Sequence, residues 1–451
     1  MRFLDALCAA SSPLRRTVIP DIKCVSPKDG SLSQGRDMAD MAELLVQAGA
    51  PVLSVVTEPE RFGGSMELLR SVCQRSGVPV LRKDFLHSEK DLDKTLEAGA
   101  AAVLLMCSYH EREELIRLYR YAGSIGLDVL LETHEPGDMA LARELGAKLI
   151  GINNRDILRL ECDNGTVAHT LSYAAAKPEG AYLVSESGLH TRKDIAQAVS
   201  AGADAALVGT AIWQAEDPAA MYKRLSRRCA LKLCGIKDTA GLELCRRAGA
   251  DTLGFVVEYP EPVPWNISAE AAAGLIPQCR GAESCIVTGG SPEKVISLAR
   301  ALRPDIVQLH HRETLEQTAL IANALEDLNI RVIRTVPLDK EQRLRQFGCS
   351  APEELAQRLK GAGVWALLVD TRDASGKSSK ADSLGEFRAF ASTGILPVIL
   401  GGGINSGNAE TVLRKSGAQY IDVMTGVETA PGRKSPELIL KLTDRIGGIN
   451  L

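Results

Sequence analysis

The chain has 451 residues, too many for one compact core and suited to two domains of roughly 200–250 residues each. An apolar fraction of 45% is ordinary for a globular chain, and a net charge of −4 without a basic run excludes a nucleic-acid surface. Aromatics at 4% leave little to stack on bases, so the expected partner is a small molecule and not a nucleic acid.

The first residues, MRFLDALCAASSPLRR, carry a brief apolar run broken by Asp5, which makes a poor secretory leader. No apolar run approaches about 18 residues, so no membrane span is expected. The 11 cysteines lack metal spacing, since the nearest pair, Cys229 and Cys234, has no second pair or histidine beside it. An odd count without a leader suits reduced thiols and a cytoplasmic chain, and no metal is expected.

One phrase then recurs along the chain. A small-residue Ala-Gly-Ala or Gly-Ala precedes an apolar, β-rich run. It stands at Ala48-Gly49-Ala50, Ala98-Gly99-Ala100, Gly146-Ala147 and Ala201-Gly202-Ala203, and again at Ala248-Gly249-Ala250, Gly361-Ala362-Gly363 and Gly417-Ala418. The glycine reads as the end of a helix and the apolar run as a parallel strand buried on both faces.

The predicted strands of the first half are Val18–Lys23, Val52–Val56, Val80–Arg82, Ala102–Met106, Val129–Glu132, Leu149–Ile152, Tyr182–Ser185 and Ala205–Val208. Those of the second are Leu231–Cys234, Thr252–Val257, Cys285–Thr288, Ile306–Leu309, Arg331–Thr335, Ala366–Asp370, Pro397–Leu400 and Tyr420–Met424. Eight β/α units per half predict an α/β fold of two consecutive (β/α)8 TIM barrels. A doubly wound open sheet has fewer strands and an early glycine fingerprint, which is absent. The boundary falls in Ser226–Ala230, giving domains 1–228 and 229–451 joined almost directly.

Barrel chemistry sits at the C-terminal ends of strands. In the first half those positions hold Asp21, Lys23, Lys83, Glu132, Asn153, Arg155, Glu186 and Ser187, then Gly209 and Thr210. Lysines, acids and a guanidinium on one mouth are costly unless they pair or work. Any one of them alone reads equally well as a solvated strand-end charge. The runs TEPERFGGS (57–65), PVLRKDF (79–85), IGINNRD (150–156) and VSESGL (184–189) resemble indole-3-glycerol-phosphate synthase over about Arg2 to Trp213.

That resemblance implies conversion of 1-(2-carboxyphenylamino)-1-deoxyribulose 5-phosphate to indole-3-glycerol phosphate with loss of carbon dioxide and water. It implies Lys83 as the acid at the carbonyl, and Lys23 at the substrate carboxylate or as a second acid. Glu132 would serve dehydration, with Asp21 beside them. Ser26, Asn153, Arg155, Glu186 and Ser187 would hold the substrate, and the phosphate would lie near Gly188, Gly209 and Thr210. Two departures stand out. Strand 1 carries Asp21-Ile22-Lys23 where the family shows Glu-x-Lys. The N-terminal extension is short, so a helix covering the site is expected to be missing or reduced.

In the second half Cys234 ends an apolar strand. Taken alone it reads as a structural core thiol. Its partner is Asp370, which ends WALLVD, and thiol and carboxylate would face each other across the barrel mouth. The runs LKLCGIKD (231–238), GADTLGFV (249–256), DIVQLH (305–310), LLVD (367–370), ILGGGIN (399–405), MTGVE (424–428) and PGRKSPE (431–437) resemble phosphoribosylanthranilate isomerase over about Leu231 to Arg445.

This second resemblance implies an Amadori rearrangement without a cofactor. Asp370 would protonate the ribose ring oxygen and Cys234 would remove the C2′ proton. Gly402, Gly403, Thr425 and Gly426 would bind the phosphate, and His310 would line the pocket. Trp265, in VPWNIS, stands where the family has an arginine for the aryl carboxylate, and His310-His311 replaces His-Gly. Together the halves imply a fused enzyme whose second barrel makes the substrate of the first. The substrates are phosphosugar-anthranilates, and a monomer is compatible with both sites. The alternatives are a chain in which only the synthase barrel works, and a non-catalytic phosphosugar-binding scaffold, against which the retained Lys83, Glu132, Cys234 and Asp370 argue.

Overall fold

The computed structural model describes residues 2–10, 16–155, 167–371 and 382–447. Asp156, the last residue of IGINNRD, lies outside the described residues. The chain divides into two compact units, Met1–Arg227 and Arg228–Leu451.

In the first unit the strands are β1 (Thr17–Ile22), β2 (Leu53–Val56), β3 (Val80–Lys83), β4 (Ala102–Met106), β5 (Asp128–Thr133), β6 (Leu149–Asn153), β7 (Tyr182–Glu186) and β8 (Ala205–Val208). Each pairs in parallel with its neighbour in sequence, and β1 pairs with both β2 and β8, so the barrel closes. The second unit repeats this with β9 (Ala230–Leu233), β10 (Thr252–Val257), β11 (Glu283–Thr288), β12 (Ile306–Leu309), β13 (Arg331–Val336), β14 (Ala366–Asp370), β15 (Val398–Gly401) and β16 (Tyr420–Val423). Here β9 pairs with both β10 and β16. A short strand, Asn266–Ile267, adds to β10.

The recurring small-residue phrase has a common geometry. At the end of the helix Met38–Gln47, Gly49 has φ +99° and donates to Val46 O, while Ala50 N donates to Leu45 O at 3.0 Å. That is the Schellman ending, which places glycine in the left-handed region where a side chain is strained. The same pair of bonds recurs at Gly99, Gly146, Gly202, Gly249 and Gly363. The alanine after the glycine is buried at Ala50, Ala100, Ala147, Ala203 and Ala250, so a small residue turns the chain into the next strand.

Strand alternation then sorts side chains into two layers. In β1, Ile19 packs inside the barrel, whereas Val18 and Ile22 pack against the helices. The same alternation carries Asp21 and Lys23 inward. In β3, Leu81 and Lys83 face inward. Arg82 faces out, where it donates to Thr57 Oγ1 at 2.9 Å, Asp84 Oδ2 at 2.9 Å and Thr95 Oγ1 at 3.0 Å. Part of the PVLRKDF run is therefore a clamp on the β2 and β3 loops and not chemistry.

The N-terminal helix Phe3–Ala9 packs onto the barrel. Phe3, Ala6 and Leu7 join the barrel-interior cluster with Leu81, Leu130 and Leu149. Leu4 N donates to Asp128 Oδ2 at 3.0 Å, and Arg2 pairs with Asp128, the first residue of β5. The helix therefore plugs the N-terminal end of the barrel, opposite the strand ends that carry the polar groups. Among the described residues no helix is long and apolar enough to cross a membrane.

Candidate active sites

In the first barrel Asp21, Lys23 and Lys83 line one small cavity with Glu58, Phe62, Phe85, Leu104 and Met106. Lys83 Nζ lies 2.7 Å from Glu186 Oε2 and 3.9 Å from Glu132 Oε2, both carboxylates being fully buried. Glu132 also lies 3.5 Å from His134 Nε2. Ser54 donates to Asp21 Oδ1 at 2.7 Å. Lys23 Nζ stands 5.7 Å from the centre of the Phe62 ring.

Burial works against the Lys83 charge, but Glu186, Asp21 and Glu132 together outweigh it and raise its pKa, so it keeps its proton. Burial first, then the nearby Glu132 and Asp21, raise Glu186 to about 7 despite its bond to Lys83. Both partners shift upward because three acids share one ammonium, and the surplus negative charge is relieved by a proton on a carboxylate.

The raised proton affinity of Glu186 bears on stability. Glu186 is protonated in both folded and unfolded chains below its ordinary value of 4.5. Above about 7 the folded barrel must hold a buried charge that the unfolded chain holds in water. Its contribution is therefore favourable at low pH and is lost as pH rises through that window. Glu186→Gln should gain thermal stability over the parent at pH 8 relative to pH 5, by a few degrees. A melting-temperature difference that does not change with pH rejects this.

Neighbouring residues hold these groups in place. A Cβ on Gly151 would come 1.9 Å from Glu186 Oε1, so only glycine on β6 lets Glu186 reach Lys83. Glu58 accepts from the N–H groups of Glu60, Arg61 and Phe62 at 3.1, 2.8 and 3.1 Å, which curls TEPERFGGS and sets Phe62 over Lys23. Asn153 is fully buried and its Nδ2 has no hydrogen-bond partner among the described residues, while its Oδ1 accepts from Arg155 N at 3.0 Å. Arg155 is itself buried. The second asparagine, Asn154, ties β6 to β7 through Ser185 Oγ, Glu186 O and Ser187 O. Ser187 and Gly188 follow β7 with φ +62° and +67°. Gly209 precedes the short helix Thr210–Trp213, whose Trp213 Nε1 donates to Asp21 O. Of the first barrel's expected site residues only Asp21, Lys23 and Lys83 line this cavity; Glu132, Asn153, Arg155, Glu186 and Ser187 do not, nor does Ser26, whose hydroxyl donates to Asp29 Oδ2 at 3.0 Å.

In the second barrel Cys234 and Asp370 line one cavity. Tyr259, Glu261, Trp265, Gln308, His310, Gly402, Gly403, Asp422 and Thr425 line it too. The thiol follows β9 directly, and a Cβ on Gly254 would come 2.7 Å from its Sγ. The carbonyls of Gly401 and Gly402 accept from Thr371 Oγ1 at 2.9 and 3.0 Å, and that of Gly403 from Asn408 Nδ2 at 2.9 Å, which fixes the turn. A Cβ on Gly426 would collide with Ile404 O. His310 Nδ1 lies 3.1 Å from both Gln308 Nε2 and Thr335 Oγ1, and Tyr259 OH donates to His310 O.

Trp265 lines the cavity with its Nε1 donating to Glu428 Oε2 at 2.9 Å. Glu428 Oε1 accepts from Lys434 Nζ at 2.7 Å, and Lys434 also donates to Cys234 O. Glu428 and Lys434 give the MTGVE and PGRKSPE runs a structural reason. They tie Trp265 to the backbone of the thiol.

Reading the sequence missed Ser54, Gly151, Gly254, Lys232 and Asp422. Their signal was there, because each is a polar or glycine residue at an inward position of an otherwise apolar strand.

Two closed parallel barrels, each with proton-transfer groups at its strand C-termini and glycine turns beside them, define TIM-barrel enzymes of acid–base chemistry. A family model described as indole-3-glycerol phosphate synthase matches residues 1–225, and one described as N-(5'phosphoribosyl)anthranilate (PRA) isomerase matches residues 231–445. The indole-3-glycerol phosphate synthase of Thermococcus kodakarensis is 40% identical over 211 residues, covering 47% of this chain and 92% of its own. That of Pyrococcus furiosus is 41% identical over 210 residues, covering 47% and 91%. The solved phosphoribosyl anthranilate isomerase from Thermus thermophilus is 29% identical, with 49% of this chain and 98% of that one covered and a TM-score of 0.40. The chain belongs to the indole-3-glycerol phosphate synthase family through its first half and carries a phosphoribosylanthranilate isomerase domain in its second.

Proposed function

We propose that the two barrels perform successive steps of tryptophan biosynthesis on one phosphosugar, each through the side chains at its own strand ends. The second barrel isomerises N-(5-phosphoribosyl)anthranilate to 1-(2-carboxyphenylamino)-1-deoxyribulose 5-phosphate. The first closes, decarboxylates and dehydrates that product to indole-3-glycerol phosphate. The observation that carries the synthase roles is the Lys83 ammonium set among Glu186, Glu132 and Asp21.

Ring closure needs a proton donor at the ketone oxygen, and Lys83 holds a proton there. Lys23 neutralises the aryl carboxylate until it leaves as carbon dioxide. Glu132 takes a proton as the hydroxyl departs. Asn153, Glu186 and Ser187 hold the hydroxyls and ring, with Arg155 close by. The phosphate rests on backbone N–H groups near Gly188, Gly209 and Thr210.

In the isomerase Asp370 protonates the ring oxygen and opens the sugar to a Schiff base. Cys234 as thiolate then removes the C2′ proton. Gly402, Gly403, Thr425 and Gly426 receive the phosphate. No metal or organic cofactor enters either reaction. The test is to give the purified chain N-(5-phosphoribosyl)anthranilate alone. Indole-3-glycerol phosphate should appear after the carboxyphenylamino intermediate. Product only from the supplied intermediate would leave the synthase barrel as the one that works.

Among the described residues lining the isomerase cavity there is no lysine or arginine to meet the aryl carboxylate. The adjoining groove shares Tyr259, Glu261, His310 and Asp370 with that cavity and adds His311 and Arg312. Arg312 lies 3.7 Å from Glu261 and is 80% exposed, so its charge can turn inward at little cost. Arg312→Ala should raise the isomerase KM several-fold with kcat nearly unchanged. An unchanged KM removes Arg312 from the site.

A further inference from the structure

We propose that Lys232 and Asp422 are positioning residues of the isomerase that set the charge state of Cys234, Lys232 favouring the thiolate and Asp422 restraining it. The proposal rests on Cys234 being the base. Lys232 stands two residues before Cys234 on β9, so the two share the inward face. Its side chain is fully buried, with Nζ 2.9 Å from Asp422 Oδ2 on β16. A buried ammonium persists only with a partner, and replacing such a pair by apolar residues is often neutral or stabilising. Stability alone is therefore a weak reason for this pair to lie beneath the thiol.

Asp422 lines the same cavity as Cys234, and its second oxygen, Oδ1, is buried without a hydrogen-bond partner among the described residues. A buried carboxylate oxygen left unsatisfied marks a strained or functional site. Gly254 lets Cys234 Sγ press against β10, because a Cβ there would come 2.7 Å from the sulfur.

Among the other groups facing the thiol, Lys434 also favours the thiolate, behind Lys232 and Asp422. Lys434 is engaged by Cys234 O and Glu428. Burial pushes the Cys245 and Cys285 thiols up to about 12, so they stay neutral. Asp370 and His310 lie on other strands around the cavity. Burial raises the Cys234 thiol, Lys232 opposes that rise and Asp422 adds to it.

In the step itself the C2′–H bond breaks and an S–H bond forms. The C–H electron pair becomes the C1′–C2′ double bond, and the electrons of the C1′ iminium return to nitrogen. Burial keeps the Cys234 thiol above its ordinary value even beside Lys232, and without that ammonium the thiol would hold its proton more tightly still and the thiolate would be scarcer.

The pH dependence of isomerase kcat/KM tests this in Lys232→Met and Asp422→Asn. The acidic limb, where the base ionises, should move up by about one pH unit or more in the first and down in the second. Lys232→Arg keeps the charge and should keep the limb near the parent's. The rate at which iodoacetamide labels Cys234 across pH, read by peptide mass spectrometry, should show the same order without turnover, and it decides the matter if Lys232→Met fails to fold. Limbs and labelling rates that stay in place, or move in the same direction in both variants, overturn the proposal. If Cys234→Ala still isomerises, the base assignment has failed instead, and the two failures are distinct.

Discussion

Lys83→Ala is expected to lower indole-3-glycerol phosphate formation by roughly three orders of magnitude, the middle of the range for a positioned acid. The substitution removes more than the proton donor. Glu186 and Glu132 are fully buried at 2.7 and 3.9 Å from Nζ, and the substitution takes the shared ammonium away from both. Lys83→Arg should not restore activity, because a planar fork cannot replace a point charge that both acids approach from different strands. The assay supplies 1-(2-carboxyphenylamino)-1-deoxyribulose 5-phosphate and follows indole-3-glycerol phosphate. With phosphoribosylanthranilate as the starting compound, the same variant should accumulate the intermediate at the parent's rate. More than a tenth of parental synthase activity would remove Lys83 from the role of acid.

Cys234→Ala should do the reverse. Isomerisation should fall by a similar factor, while the supplied intermediate is still converted to indole-3-glycerol phosphate. Cys234→Ser is the stricter variant, since it preserves volume and a polar hydrogen. An alcohol ionises far less readily than a thiol, and burial already holds the thiol above its ordinary value. Serine should therefore be almost as damaging as alanine. A serine variant with near-parental isomerisation would show that the sulfur is not the base. The independence of the two losses follows from the division of the chain into two units with separate cavities.

Much of this was legible in the residues. The Schellman endings at Gly49, Gly99, Gly146, Gly202 and Gly249 are local, and they marked where each helix gives way to a strand. The predicted strands fall within one or two residues of those observed, because parallel barrel strands are short and apolar on both faces. Helix Phe3–Ala9 exists and serves the opposite end of the barrel, which no local pattern could reveal. The hydroxyl of Ser26 is bonded to Asp29 within its own hairpin, a contact set by the turn and not by the strand pattern. Trp265 stood out in place of an arginine, and its indole N–H proves to be tied through Glu428 to Lys434.

By itself the sequence determined which residues share the inward face, since strand alternation is a property of the backbone. Asp21 and Lys23 follow Ile19, Lys83 follows Leu81, Glu132 follows Leu130, and Cys234 follows Lys232 at two-residue steps. Only the tertiary structure decided which of these meet across the mouth. Lys83 and Glu186 are 103 residues apart, and Lys232 and Asp422 are 190 apart. Their contact depends on closing the ring with one register, and on glycines at 151 and 254 that leave room for a carboxylate and a sulfur. Closure brings the acids close enough to share one ammonium, and burial turns that closeness into raised proton affinities that no isolated strand would have.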